Sequence, residues 1–319
     1  MMKNFKKKEL SKKWFKLLRN QIINEFENIE NQNTSKKLKF KKKNWKRKPH
    51  LKKDNGGGQM AIMYGNIFEK VGVNISTVYG SLSQDFKSNL PGTNKNSNFW
   101  ASGISVVAHM QNPYLPSFHF NTRMIETSKI WFGGGMDMTP TFKNSKHIIM
   151  FHSNINNMCD KHDKNYYKDF SQYCDEYFYL PHRKETRGDG GIFYDYLNSS
   201  SWEADFNFTK DVGSCFLDVV SRIISMDMSK NWKKEHKEQQ KIKRDADRFD
   251  AIVDQTWQNV NRGNSWQQER EQEREGTTKK DKKHACFRRH HLLTRLSRYV
   301  QVDEGLKPDS SLLWITILQ

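Results

Sequence analysis

The segment Ser117-Phe118-His119-Phe120-Asn121-Thr122-Arg123 places His119, Asn121 and Arg123 at alternate positions. Read as a strand, with about 3.3 Å of rise per residue, it aims all three at one face over about 13 Å and sends Phe118, Phe120 and Met124 to the other. The same rule puts Ser105 and His109 on a common face of Gly103-Ile104-Ser105-Val106-Val107-Ala108-His109. Such a surface can hold an anion and move a proton, because Arg is a fixed cation with forked donors and His titrates near neutrality. Strand pattern alone also fits an ordinary solvent-facing sheet surface.

A second candidate is Trp131-Phe132-Gly133-Gly134-Gly135-Met136-Asp137-Met138-Thr139-Pro140. Three glycines between a bulky aromatic pair and an Asp predict a turn whose backbone passes close to a flat ligand, with the Asp137 carboxylate beside it; a purely structural glycine turn is the plainer reading. It is not a phosphate loop, since the Lys-Ser/Thr ending and the strand-to-helix glycine context are both missing. Arg183, Glu185 and Arg187 follow His182 in a polar loop ending at Gly190-Gly191. That loop fits a surface ion-pair cluster as well as it fits substrate contact. The four cysteines form no Cys-x-x-Cys pair, which signals neither a zinc knuckle nor a disulfide scaffold.

These residues need elements to hold them. Short runs bounded by glycine from Met60 to Gly80, at 103–110 and at 117–126 predict strands, and the period turns helical between 147 and 180. There Phe151, Ile155 and Met158 share one face, and Tyr166, Phe170, Tyr173 and Tyr177 another. Upstream, Trp14, Leu17, Leu18, Ile22, Phe26 and Ile29 predict an amphipathic helix of about five turns. Strands followed by helices give an α+β fold with a large, mainly antiparallel sheet flanked by helices.

Charge divides the chain further. Residues 1–53 carry 19 Lys and Arg against four Asp and Glu, whereas residues 54–225 are nearly balanced. This predicts a basic N-terminal helix and arm over 1–53, in which Lys36–Lys53 and the glycines at 56–58 form a mobile linker or a ligand-approaching loop. It also predicts a balanced, folded core over 54–225 and a polar C-terminal segment over 226–319 with few apolar anchors. The basic arm is read as a solvated segment, and nucleic acid is not an expected partner, since no RNA-reading motif accompanies it. No apolar run reaches the roughly 18 residues of a membrane span, and a cytoplasmic location is expected.

Taken together, GISVVAHMQNPYLPSFHFNTR, WFGGGMDMTPTF, CDEYFYLPHRKETRGDGGIFYDYLN and FNFTKDVGSCFL resemble, in order and spacing, the signature blocks of the oxygen-dependent coproporphyrinogen III oxidases. EKVGVNISTVYG and NGGG fit the same pattern. The resemblance covers about residues 54–220 and, more weakly, 10–53, which makes 54–225 the implied catalytic core and 226–319 a divergent tail. It implies oxidative decarboxylation of two propionates of coproporphyrinogen III to vinyl groups, with molecular oxygen as co-substrate and no flavin, haem or NAD. It implies Ser105, Asn121 and Arg123 as substrate contacts, His119 as proton donor, and Asp137 as the carboxylate that holds the pyrrole nitrogens. It also implies His109, His119, His152 and His182 as ligands of a divalent metal cation, and a homodimer. Their separations match no local zinc pattern. Pro181 and Asp189 depart from the family pattern. Downstream, only Lys243-Arg244 with Phe249, and Arg298-Tyr299-Val300, echo the family's C-terminal strand. That divergence leaves two other readings open, a catalytically inactive relative and a basic nucleic-acid-associating protein with an oxidase-like core.

Overall fold

The computed structural model describes residues 4–32, 35, 37–47, 55–81, 92, 97–180 and 184–246. Pro181, His182, Arg183, Phe249, Cys286 and Arg298-Tyr299-Val300 lie outside them.

The amphipathic period near the start becomes helix α1 (Asn4–Glu30), longer than the five turns predicted. Phe15, Leu18, Ile22, Ile23, Phe26 and Ile29 are buried, but Leu17 is 51% exposed. At 3.6 residues per turn Leu17 lies about 100° round the helix from Leu18, off the buried stripe. Two buried carboxylates near the end of α1 fasten the chain that follows. Glu27 accepts from the Phe40 N–H at 2.9 Å and from Lys39 Nζ at 2.6 Å. Glu30 accepts from the N–H groups of Asn66, Ile67 and Phe68 at 2.5, 3.0 and 3.0 Å. Charge-assisted bonds of this kind are about twice as strong as neutral ones, so the acids act as braces.

Seven strands form one antiparallel sheet: β1 (Lys41–Lys46), β2 (Gly56–Met63), β3 (Phe68–Ser81), β4 (Asn98–Met110), β5 (Ser117–Glu126), β6 (Ile130–Thr139) and β9 (Gly191–Leu197), in that spatial order. A separate hairpin pairs β7 (Tyr179–Leu180) with β8 (Glu185–Thr186). Two sequence expectations are corrected here. Part of the Lys-rich linker is edge strand β1, and Gly56-Gly57-Gly58 begins β2 instead of forming a ligand loop. Gly58 has no side chain where the Trp45 ring lies: a Cβ there would come within 3.0 Å of Trp45 Cε2. The second correction is that Gly133-Gly134-Gly135 sits inside β6 and is not a turn.

One face of the sheet is covered by helices α1, α2 (Ser145–Cys159) and α4 (Trp202–Asp227). Asn144 and Ser201 cap α2 and α4 by accepting from the N–H groups of Lys146 and Ala204. Phe120 stacks on Phe216 at 4.7 Å and Phe132 on Phe206 at 5.8 Å, locking β5 and β6 to α4. Helix α3 (Tyr166–Tyr177) wraps the β9 edge: Phe170 packs on Tyr194 from the helical side, and Tyr177 stacks on Phe193 at 4.4 Å.

Part of the polar C-terminal segment also docks on the sheet. Helix α5 (234–246) grips the β4–β5 connection through polar anchors rather than apolar ones. Gln240 Nε2 and Arg244 Nη2 donate to the Met110 carbonyl at 3.1 and 2.6 Å, and Lys237 Nζ donates to the Gln111 carbonyl at 2.8 Å. Arg244 and Lys237 both pair with Glu69 of β3.

Candidate functional site on the uncovered sheet face

The face away from α1 and α4 carries the residues singled out by the strand pattern. Along β5, Phe118, Phe120, Thr122 and Met124 are buried, while His119, Asn121 and Arg123 are partly exposed. Register sets their neighbours. Asn121 is flanked by Ser105 and Gly135, His119 by Val107 and Asp137, and Arg123 by Gly103 and Gly133. Ser105, Asn121, Arg123, His119 and Asp137 therefore come together on three adjacent strands, with His109 at the β4 end.

His119 Nδ1 lies 2.8 Å from Asp137 Oδ1, and Arg187 Nη2 donates to Asp137 Oδ2 at 2.8 Å. Burial is the strongest influence on Asp137 and works to raise its pKa, but Arg187 and His119 together outweigh it and hold the carboxyl below its usual range. An ionised carboxylate has no proton to give, so His119 Nδ1 is the donor. The contact fixes the imidazole ring on the sheet face. Arg187 is brought there by the β7–β8 hairpin: its N–H bonds the Phe178 carbonyl, and its guanidinium lies 3.9 Å over the Phe178 ring. Sequence reasoning named Arg187 but left its role open, because its partner is 50 residues earlier.

Arg123 donates from Nη1 to Asn121 Oδ1 at 3.2 Å and from Nη2 to Asp195 Oδ2 at 3.0 Å. Burial opposes its charge, and the Asp195 carboxylate, with Tyr177 and Tyr196, more than offsets that and raises the guanidinium pKa. Asp195 was missed by the sequence reading; its signal was a single charged residue in the aromatic run Ile192-Phe193-Tyr194-Asp195-Tyr196. Gly103 and Gly133, which flank Arg123 across the strands, carry no side chains, and the space over Gly133 is filled by Asp195 Oδ1 beside Arg123 Nη2.

The three described histidines of the expected metal set, His109, His119 and His152, sit in different surroundings. The rings of His109 and His119 are 6.3 Å apart, edge to face. His152, on α2, bonds Tyr167 Oη through Nδ1 at 2.9 Å and the Asp189 carbonyl through Nε2 at 2.8 Å. A carbonyl only accepts, so Nε2 carries the proton and Nδ1 accepts from the phenol, which commits both nitrogens within the protein. Among the described residues no group of three or more His, Cys, Asp or Glu is placed to hold a metal ion. The three described histidines do not fit a shared cation, and His182 lies outside those residues. Burial first, then the charges of Arg244 and His119, push His109 down to about 3.

The sequence profile of the coproporphyrinogen III oxidase family matches residues 10–258, a span that takes in most of α1 and all of the described α5 as well as the sheet. The chain is 47% identical over 245 residues to the oxygen-dependent coproporphyrinogen-III oxidase of Rickettsia rickettsii (strain Sheila Smith), covering 76% of this chain and 86% of that protein. It is 48% identical over 241 residues to the protein of that name from Rickettsia akari (strain Hartford), with 74% and 85% covered. The counterpart from Rickettsia bellii (strain OSU 85-389) is 48% identical over 245 residues, with 76% and 86% covered. With the profile matching most of its length and 47% identity to the Rickettsia rickettsii oxidase over 245 residues, this chain belongs to the coproporphyrinogen III oxidase family.

Proposed function

We propose that this chain converts coproporphyrinogen III to protoporphyrinogen IX with molecular oxygen, a step of haem biosynthesis. Each of two propionates loses its carboxyl group as carbon dioxide and one hydrogen from the chain carbon bonded to the pyrrole ring, leaving a vinyl group. One oxygen molecule per propionate takes up the two electrons and two protons as hydrogen peroxide.

The observation that carries the reading is the chain His119–Asp137–Arg187 beside Arg123 on the sheet face away from α1 and α4. Arg123 offers a cation to a propionate, and Asn121 and Ser105 offer polar contacts alongside it. Asp137 accepts from pyrrole N–H donors through lone pairs that His119 and Arg187 leave unused, a carboxylate having about four. His119, oriented through Nδ1, exchanges a proton with the ligand through Nε2. The family match through residue 258 favours this activity over an inactive relative or a nucleic-acid-associating protein. A homodimer follows from the resemblance. A cytoplasmic location is consistent with the described helices, none of which is long and apolar enough to cross a membrane.

The test is to supply purified protein with coproporphyrinogen III in air and under strict anaerobiosis, and to follow protoporphyrinogen IX as its fluorescent oxidised form. Product in air alone supports the assignment. Equal turnover without oxygen, or none in air, overturns it.

A further inference from the structure

We infer that Asp195 is a positioning residue that aims Arg123 at the propionate, through a distortion of β9 built for that purpose; this rests on the reading of Arg123 as a carboxylate clamp. Three independent features of the chain converge on the pair.

The β6–β9 register shifts between Phe132 and Gly134: Phe132 faces Leu197 and Gly134 faces Tyr194, so Asp195 and Tyr196 bulge opposite Gly133. A bulge turns a side chain out of its regular direction, and bulges concentrate beside active sites. Within it, Tyr196 adopts φ 57°, a left-handed conformation that a bulky residue rarely takes without something to hold it. The Tyr196 N–H donates to Asp195 Oδ1 at 3.0 Å, leaving Oδ2 for Arg123 at 3.0 Å. Across the sheet, the site of a Cβ on Gly133 is already taken by Asp195 Oδ1 and lies 3.2 Å from Arg123 Nη2. A strained tyrosine, a missing side chain and a bulge thus cooperate to seat one carboxylate against one guanidinium.

Removing the carboxylate leaves Arg123 with a buried charge that only the Asn121 amide oxygen contacts, since Nε has no partner among the described residues. A buried cation without its counter-ion is left uncompensated, and nothing then holds its fork at the place where a propionate has to meet it. Asp195→Asn keeps Oδ1 for the Tyr196 N–H and so preserves the bulge, but it presents an amide donor to guanidinium donors.

The test is a double-mutant cycle on the full chain, with two readouts. One is KM for coproporphyrinogen III. The other is the Kd of coproporphyrin III, the stable oxidised ring with the same four propionates, followed by its fluorescence. Asp195→Asn should raise both about tenfold in the wild-type background. In the Arg123→Leu background it should change neither by more than about twofold, since its only route to the ligand is gone. Asp195→Ser, whose hydroxyl can still accept from the Tyr196 N–H, gives the same reading if the Asn variant does not fold. An unchanged or tighter Kd, or an equal loss in both backgrounds, overturns the inference and makes Asp195 a structural residue. A wild-type chain that binds coproporphyrin III without turning over the reduced ring refutes the activity alone, and the Kd cycle still decides the role of Asp195. No binding by wild type overturns both.

Discussion

Arg187 donates to the same carboxylate that orients His119, meeting Asp137 Oδ2 at 2.8 Å while His119 meets Oδ1 at 2.8 Å. One acid therefore ties a hairpin outside the sheet to the histidine on its face. Its side chain is 5% exposed, so its charge depends on these two partners.

Arg187→Gln removes the stronger of the two influences that hold Asp137 below its usual range. The folded pKa then rises, and the acid limb of the kcat/KM profile moves to higher pH. A depressed carboxyl contributes stability above its unfolded pKa and loses it as pH falls through the folded value, so the variant should fail sooner on acidification. Loss of one partner from a buried pair destabilises by about 3 kcal/mol or more. Steady-state profiles and urea unfolding between pH 4 and 8 read both effects. An acid limb that stays in place removes Asp137 as the titrating group.

Asp137→Asn should lower kcat about a hundredfold, in the range seen when a preorganised electrostatic contact is removed. As a turn residue, Asp137 would accept this change with little effect on folding. Its place inside β6, between a guanidinium and an imidazole, means that stability falls as well. Activity within about threefold of wild type, roughly 0.65 kcal/mol in barrier, would show that the carboxylate takes no part in the chemistry.

How far the site could be read in advance depended on which forces leave a periodic trace. The β5 alternation was legible because its other face is packed by Phe118, Phe120 and Met124, so burial stamps a period of two on the sequence. The three glycines of β6 carry no side chains and therefore no period, and their strand conformation is imposed by β5 and β9. Strand β1 was hidden for a related reason, since Lys41, Lys42 and Lys43 are all exposed on an edge and alternate with nothing. Helix α5 is anchored by Gln240, Arg244 and Lys237, which composition cannot distinguish from solvated charge. The pairings of Asp137 with Arg187 and of Arg123 with Asp195 join residues 50 and 72 apart. No local pattern encodes contacts at that range.

Arg123→Leu should lower kcat/KM by more than about tenfold, roughly the 1.4 kcal/mol that a charge-assisted contact supplies. Steady-state kinetics on coproporphyrinogen III measures it. An unchanged kcat/KM would place the propionate elsewhere.

His152→Gln separates a structural histidine from a metal ligand. Both ring nitrogens already bond within the protein, to Tyr167 and to the Asp189 carbonyl. The variant should lose about 1–3 kcal/mol of stability by leaving one of these groups unsatisfied. The divalent-metal content after dialysis, measured by elemental analysis, should match wild type. Metal present in wild type and lost in the variant would make His152 a ligand after all.

His109 supplies a stability effect with its own pH window. Its pKa is pushed down to about 3 from an ordinary 6.5 by burial, reinforced by the charges of Arg244 and His119. Above pH 6.5 the ring is neutral in both folded and unfolded chains and contributes no slope. Below it the unfolded chain binds a proton that the folded chain refuses, so stability falls as pH drops toward about 3, by at most about 1.4 kcal/mol per pH unit. His109→Gln cannot titrate and should flatten the decline by up to that amount, while its stability at pH 7.5 carries only the packing change. Arg244→Gln withdraws a positive charge from the ring, so His109 should accept its proton at higher pH and the window should narrow from its acid end. Because the other titrating groups are shared, the difference between wild-type and His109→Gln unfolding curves at pH 7.5, 6.5, 5.5 and 4.5 isolates this one ring. Parallel curves across that range would mean that His109 is free to protonate in the folded chain, and that its surroundings do not hold it neutral.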